Sequence, residues 1–355
     1  MPPAGRDDSM DTAAPPTYVN PVYPGYLADP FVWRCDAVYY AVGTGAAEAA
    51  GVTASASTPT VFPLLRSNDL VHWHEAGHAL VRPDASLGNA FWAPEVVEAQ
   101  GVWYLYYSVG HDDRLHQLRV AVSERPTGPY VDAGALTSPD DVAFAIDPHP
   151  FRDADGRWYL FHARDFLEPR DESGREARCG TALVVSPLRD MTTLGDGVHT
   201  VARARCDWQR YAARRSMYGR DFDWHTLEGP CVLRGTDGRY YCLYSGGCWQ
   251  NDTYGVDYVV ATSIDGPWSD AGSEHGPRVL RTVPGRVIGP GHCSVVRNPD
   301  GPAVLAYHAW DPGMSARRFC IDVLEFGPEG PRACGPSWTP RVAPLAAGRT
   351  QVEEA

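Results

Sequence analysis

Five short apolar segments each carry one polar side chain in hydrophobic company: Asp29 in ADPFVW (28–33), Glu95 in WAPEVV (92–97), Asp147 in IDPHPF (146–151), Glu228 in LEGPCVL (227–233) and His292 in GHCSVV (291–296). Asp29, Asp147 and Glu228 are followed by Pro or Gly-Pro. Apolar surroundings desolvate a carboxyl and drive the pKa values of neighbouring acids apart. Acid–base hydrolysis needs that separation, with one acid loaded and another ionised. Among 44 Asp+Glu, a lone Asp before Pro is most often a turn or cap residue. Equivalent placement in repeating units is what singles these acids out.

Other motifs lead elsewhere. His74-Glu75-Ala76-Gly77-His78 matches the H-E-x-x-H pattern, whose zinc chemistry needs both imidazoles on one helical face with the glutamate as base. The pentad sits where other units read YVDAG and WSDAG, a strand or turn repeat. In an extended strand its histidines stand about 13 Å apart, too far for one zinc. Gly43-Thr44-Gly45-Ala46-Ala47 follows a strand, but Glu48 stands where a dinucleotide loop needs its third glycine, and no helical pattern follows. Ser245-Gly246-Gly247 reads as a tight turn needing positive φ.

Composition removes whole classes of chemistry. All 31 Lys+Arg residues are Arg. Without a lysine amine, Schiff-base and PLP chemistry, P-loop nucleotide hydrolysis and Ser-x-x-Lys acylation fall away. The formal charge of −13 argues against nucleic acid or an anionic membrane surface as partner, since both need a positive face. The nine cysteines are odd in number and include no Cys-x-x-Cys. They read as buried small hydrophobes in a reduced compartment rather than a disulfide or zinc framework. The leading MPPAGRDDSMDTAAPPTY has no apolar h-region and no run approaches about 18 apolar residues, so a soluble, cytoplasmic protein is expected.

The elements that must position the polar residues are short strands. With 355 residues, 44% of them hydrophobic, the chain can bury a large core. Its 35 Gly and 31 Pro are spread throughout, and long 3.6-period stripes are scarce. A turn followed by an aromatic strand recurs five times: DAVYYAV (36–42), QGVWYLYY (100–107), DGRWYLFH (155–162), DGRYYCLY (237–244) and DGPAVLAY (300–307). One polar-bearing segment precedes each. A third element, aromatic-x-acid-Ala-Gly, follows at Trp73–Gly77, Tyr130–Gly134 and Trp268–Gly272. Four strands per unit and five units describe an all-β, five-bladed β-propeller, whose innermost strands bring distant residues to one axial cavity. Two stretches break the period: a small-residue loop at 45–60, and an Arg- and aromatic-rich insertion at 205–225. The insertion has room for a short helix and is expected to wall one side of the axial site. Residues 18–340 are expected to form one domain, with 1–17 a disordered or loosely attached segment and 341–355 a tail.

On these motifs the sequence resembles glycoside hydrolase family 43, five-bladed propeller enzymes acting on arabinosyl, xylosyl and related glycosides, from about Tyr18 to about Trp338. The resemblance implies that Asp29 is the general base, Asp147 the acid that orients its partner and tunes its pKa, and Glu228 the general acid. It implies that Glu95 is structural, that His292 lies beside a water-bound calcium or other ion, and that Arg317 in SARRFCID faces the glycone. It further implies inversion, in which the two reacting carboxyls stand roughly 6.5–9.5 Å apart to admit a water. Phe31, Phe91, Trp92 and Trp249 fit as sugar platforms. No cofactor is expected to be required beyond an ion near His292.

The expected activity is that of an exo-acting α-L-arabinofuranosidase on small oligosaccharides, in a monomer or simple homo-oligomer. β-Xylosidase, endo-arabinanase and galactofuranosidase share the same site chemistry. A retaining fructan or sucrose hydrolase would show Asn-Asp-Pro-Asn, Arg-Asp-Pro and Glu-Cys motifs, whereas here Ala28 precedes Asp29-Pro30, Ile146 precedes Asp147-Pro148 and Gly229 follows Glu228. A non-catalytic glycan- or protein-binding propeller would not need three carboxyls at its hub.

Overall fold

Each polar-bearing segment opens an antiparallel sheet, because a β-branched and aromatic run bounded by turns pairs best with its own neighbour. The computed structural model describes residues 14–46, 59–171, 174–269, 272, 274–299 and 301–347. The first unit pairs Ala28–Cys35, Val38–Thr44, Thr60–Ser67 and His74–Val81 in order, and the second Ala90–Ala99, Val102–His111, Arg114–Ser123 and Val131–Ala135. The third (Ala145–Arg152, Trp158–Phe166, Gly180–Asp190) and the fourth (Arg220–Arg234, Tyr240–Gly246, Gly255–Ala261) are joined into one larger sheet by a short parallel pairing of Gly180–Thr181 with His225–Thr226. The fifth, Ile288–Val296, Ala303–Trp310 and Arg317–Gly327, is completed by Tyr23–Tyr26 from the other end of the chain.

Successive side chains of a strand point to opposite faces, and in the central strands both faces are buried, which explains their near-continuous apolar runs. Leu105 and Tyr107 pack toward the first unit, against Phe62, Val61 and Phe91, while Tyr106 packs toward the third, against Ala145 and Leu160. Further apolar clusters join the third unit to the fourth and the fourth to the fifth. A last cluster, with Val32, Tyr39 and Leu65 against Val304, Phe319 and Ile321, joins the fifth back to the first. The curled sheets therefore close on themselves.

Several expectations meet the structure here. His74–Gly77–His78 lies in an extended edge strand with both histidines exposed, not on a helix. Residues 205–225 form a hairpin rather than a helix, apart from one 3₁₀ turn at Asp207–Gln209. Arg210–Met217 runs antiparallel to the start of Arg220–Arg234, with Met217 opposite Arg220. Its two turn residues, Tyr218 (φ 52) and Gly219 (φ 76), are both left-handed, as a two-residue type I′ connection requires. The boundary drawn at 17/18 falls within, and that at 340/341 at the edge of, a ribbon pairing Thr17–Tyr18 with Arg341–Val342. The cysteines are free among the described residues, five of them buried. Most of the 45–60 loop lies outside the described residues. No helix among the described residues is long and apolar enough to cross a membrane.

Candidate active site

The five inner strands share one irregularity that the sequence did not reveal. In each, pairing with the second strand slips by a residue, between Ala28 and Phe31, Trp92 and Glu95, Ile146 and His149, Glu228 and Cys231, and Gly291 and Ser294. At each slip one residue adopts a left-handed backbone: Asp29 (φ 50), Ala93 (φ 47), Asp147 (φ 58), Gly229 (φ 56) and His292 (φ 47). Such a bulge re-aims side chains at the cost of local strain. A regular strand would send consecutive side chains to opposite faces. Here one cavity of about 330 Å³ is lined by the bulge residue in three units (Asp29, Asp147, His292) and by its predecessor in three (Trp92, Ile146, Glu228), the third unit contributing both. The equivalence assumed from sequence is corrected accordingly: Asp29, Asp147 and His292 are equivalent, Glu228 stands one position earlier, and Glu95 two positions later.

The bulge amides are tied down from the neighbouring unit. The backbone N–H of Asp29 donates to His308 Nδ1 (3.1 Å), that of Ala93 to Thr44 Oγ1 (3.0 Å), and that of His292 to Ser245 Oγ (2.7 Å). His308, Thr44 and Ser245 occupy matching places on the second strands, opposite Gly291, Ala28 and Glu228. In the third unit Ala163 holds that place, and the Gly229 amide donates instead to Asp147 Oδ2 (2.9 Å). One layer below, Glu95 Oε2 accepts from His149 Nδ1 (2.8 Å) while His149 Nε2 accepts from the Val232 amide (3.0 Å). Glu95 thus staples three units together and is absent from the cavity wall.

Electrostatics separate the acids. Burial opposes charge on Asp29, but His292 (Nδ1 3.3 Å from Oδ1) and Arg317 (Nη1 3.4 Å from Oδ1) outweigh it and hold the carboxyl far below the usual range. Thr44 Oγ1 donates to its other oxygen at 2.6 Å. Glu228 moves the opposite way: burial first, then the charge of Asp147, push it up to about 7, against a 2.6 Å hydrogen bond from Tyr254 Oη. Asp147 is pushed up to about 6, chiefly by burial, with Asp29 and Glu95 adding repulsion. Burial also lowers His308 to about 4, in keeping with the neutral ring that its acceptor role requires.

Of the expected aromatic platforms, Trp92 and Trp249 line the cavity. Trp92 stacks on His116 (3.8 Å between centroids) and Trp249 on Trp310 (6.1 Å). Phe91 and Phe31 do not line it. Phe91, 1% exposed, points the other way from Trp92 into the core against Phe62 and Tyr107. Phe31 stacks on Trp33 two residues along, on the packed face between the first and second units. Arg317 is the arginine that enters: its Nε donates to Tyr26 Oη (2.9 Å) and its guanidinium lies 4.5 Å from the Trp249 ring centre. Arg318 turns outward to Asp311 at 3.0 Å.

The insertion walls the cavity as expected, through Tyr211, with Arg215 reaching Asp113 Oδ2 (2.9 Å) on the opposite side. Tyr211, Asp112, Asp113 and Gln250 in the wall, and Thr44, Tyr254 and His308 behind it, had no motif to mark them. The one available signal, for Thr44, Ser245 and His308, was a polar residue closing the aromatic strand, as in AVGT, LYSG and AYHA.

Among the described residues no three His, Cys, Asp or Glu side chains gather to grip an ion. Burial opposes charge on His292, yet Asp29, Asp147, Glu228 and Glu95 raise its pKa. The surrounding carboxylates favour the cationic ring.

Comparison with known proteins agrees with this geometry. The family model described as Glycosyl hydrolases family 43 matches residues 18–331. A β-D-galactofuranosidase (xynD) of Aspergillus niger is 28% identical over 88% of this chain and 83% of its own. Xylosidase/arabinosidase 43A of Humicola insolens is 24% identical over 56% of this chain and 61% of its own. The crystal structure of a thermostable family-43 glycoside hydrolase superposes with a TM-score of 0.77 at 27% identity, covering 92% of this chain and 99% of that one.

Proposed function

The chain belongs to glycosyl hydrolases family 43 and is a glycoside hydrolase, and from that premise we propose that it is an inverting, exo-acting α-L-arabinofuranosidase on a five-bladed propeller. The closed cycle of five inter-sheet clusters supports the blade count. The observation carrying the mechanism is the opposite displacement of two carboxyls in one cavity, Glu228 up to about 7 and Asp29 far down. Glu228, proton-loaded near neutrality, donates to the departing glycosidic oxygen as the sugar gains oxocarbenium character. Asp29, ionised beside Arg317 and His292, takes a proton from the water attacking the opposite face. Asp147 keeps Glu228 loaded by repulsion and fixes its strand through the Gly229 amide. Exo action is supported by Arg317, Tyr26 and Trp249, which pack together at the Asp29 end of the cavity.

A second reading, β-D-galactofuranosidase, is favoured by the relative similar over most of the chain. The two furanosides share their ring configuration and differ by one exocyclic hydroxymethyl group, so one site chemistry serves either. Hydrolysis of a panel of nitrophenyl furanosides and pyranosides by wild type and Glu228→Gln decides. An arabinofuranoside is expected to be turned over fastest, with Glu228→Gln reducing kcat about 10²- to 10⁴-fold on it. Equal activity in both proteins removes Glu228 from its role. NMR of the first-formed anomer tests inversion.

A further inference from the structure

On the strength of the hydrolase reading, we propose that the cleft between Asp165 and the 210–225 hairpin is the leaving-group subsite, and that it selects a sugar there by binding its hydroxyl groups. A small cavity of about 70 Å³ adjoins the main one and shares Trp92, Tyr211, Glu228 and Trp249 with it. Asp29, His292 and Arg317 do not border the small cavity; Asp165, Thr181 and Arg215 do. The acid therefore reaches both spaces and the base only one. Since Glu228 protonates the oxygen that stays with the departing group, that group lies on the side of Glu228 away from Asp29. Beyond it, sharing Phe144 and Met217, a third cavity of about 470 Å³ continues past Tyr218 at the hairpin tip. The three together form a track leading outward from the acid.

Asp165 is a carboxyl the mechanism does not use. Its Oδ2 accepts from Tyr218 Oη (2.7 Å) and its Oδ1 from Thr181 Oγ1 (2.9 Å). An ionised carboxylate offers about four acceptor sites, so one on each oxygen remains for a sugar hydroxyl. Burial pushes its pKa up to about 6, with the two hydroxyl donors and Arg215 opposing, which leaves it an acceptor at neutral pH. Arg215 is held over the rings of Tyr211 (4.8 Å) and Trp224 (5.3 Å), so the polar end of the cleft is positioned by the hairpin itself. Phe144 and Met217 offer apolar surface to the C–H face of a sugar ring.

The test compares kcat/KM for the nitrophenyl glycoside turned over fastest with that for a trisaccharide of the same sugar, because a nitrophenyl group brings no sugar hydroxyl to Asp165. In Asp165→Asn, and separately in Tyr218→Phe, the trisaccharide-to-aryl ratio is expected to fall, by tenfold or more in Asp165→Asn. An active wild type with an unchanged ratio in both variants overturns the subsite alone. A wild type inert on every glycoside overturns the hydrolase reading and the subsite together. Circular dichroism spectra and denaturation midpoints matching wild type show that each variant is folded.

Discussion

Tyr254→Phe isolates the hydrogen bond that tempers the acid. The Tyr254 hydroxyl donates to Glu228 Oε1 at 2.6 Å, and its ring stacks on His308 at 5.8 Å and fills the space against Gly291. Phenylalanine keeps that packing and removes the donor, together with the oxygen that meets the Ser245 hydroxyl. A hydrogen bond to a charged acceptor is worth about 1.5–3 kcal/mol and to a neutral one about 1, so the bond favours ionised Glu228 by roughly 0.5–2 kcal/mol. At about 1.4 kcal/mol per pKa unit, its loss moves the acid upward by about one unit. The sign follows from which form the donor stabilises: removing a donor to the carboxylate raises the pKa. In a bell-shaped profile of kcat/KM the alkaline limb reports the acid of the free enzyme. That limb is expected to move about one pH unit upward in Tyr254→Phe, while the limb set by Asp29 lies below the range assayed. The assay is initial rate on the best nitrophenyl glycoside from pH 4 to 10. An alkaline limb that stays put or moves down refutes Glu228 as the proton donor held by this bond.

Thr44→Val removes the hydroxyl that donates to Asp29 and accepts from the buried Ala93 amide; it is expected to cost about 1–3 kcal/mol of stability in denaturant titrations, as an orphaned buried donor does, and to lower kcat/KM, with Thr44→Ser restoring both. Phe91→Ala is expected to destabilise the fold by about 3–5 kcal/mol, read by chemical denaturation; a raised KM without loss of stability would return Phe91 to the sugar site.

Much of the architecture was legible because one physical demand is repeated five times. Each unit needs an apolar inner strand, a turn and an aromatic strand, and the recurrence of DGRWYLFH and DGRYYCLY displays that demand directly. The residues meeting at the hub were legible for a related reason: a charged group among Pro and apolar neighbours is conspicuous. Register was not. The polar residues look equivalent by eye, yet the left-handed position falls on Ala93 and Gly229 in two units, so Glu95 and Glu228 are displaced in opposite directions. A backbone slip of one residue leaves no mark in composition or period. Phe91 and Trp92 show the consequence, since adjacent aromatics take opposite faces and only the bulge decides which one meets the cavity.

The supporting residues were hidden for a different reason. Thr44, Ser245 and His308 act across a unit boundary, accepting amides from inner strands 47 to 279 residues away in the chain, the longest span being that of the His308–Asp29 contact. Nothing local distinguishes Thr44 from any threonine ending a strand. Their arrangement explains how a strained hub can be held. Four non-glycine residues sit in left-handed backbone there, at a cost of about 1–2 kcal/mol each. The amides of three of them, with that of Gly229, are satisfied by a side chain of an adjacent unit. The carboxyls are thereby fixed by strand-to-strand contacts rather than by loops, and no single unit contains a complete site. A cut or permutation that opens the ring between the fifth unit and the first would release the Asp29 amide from His308 before it disturbed any residue of the acid pair.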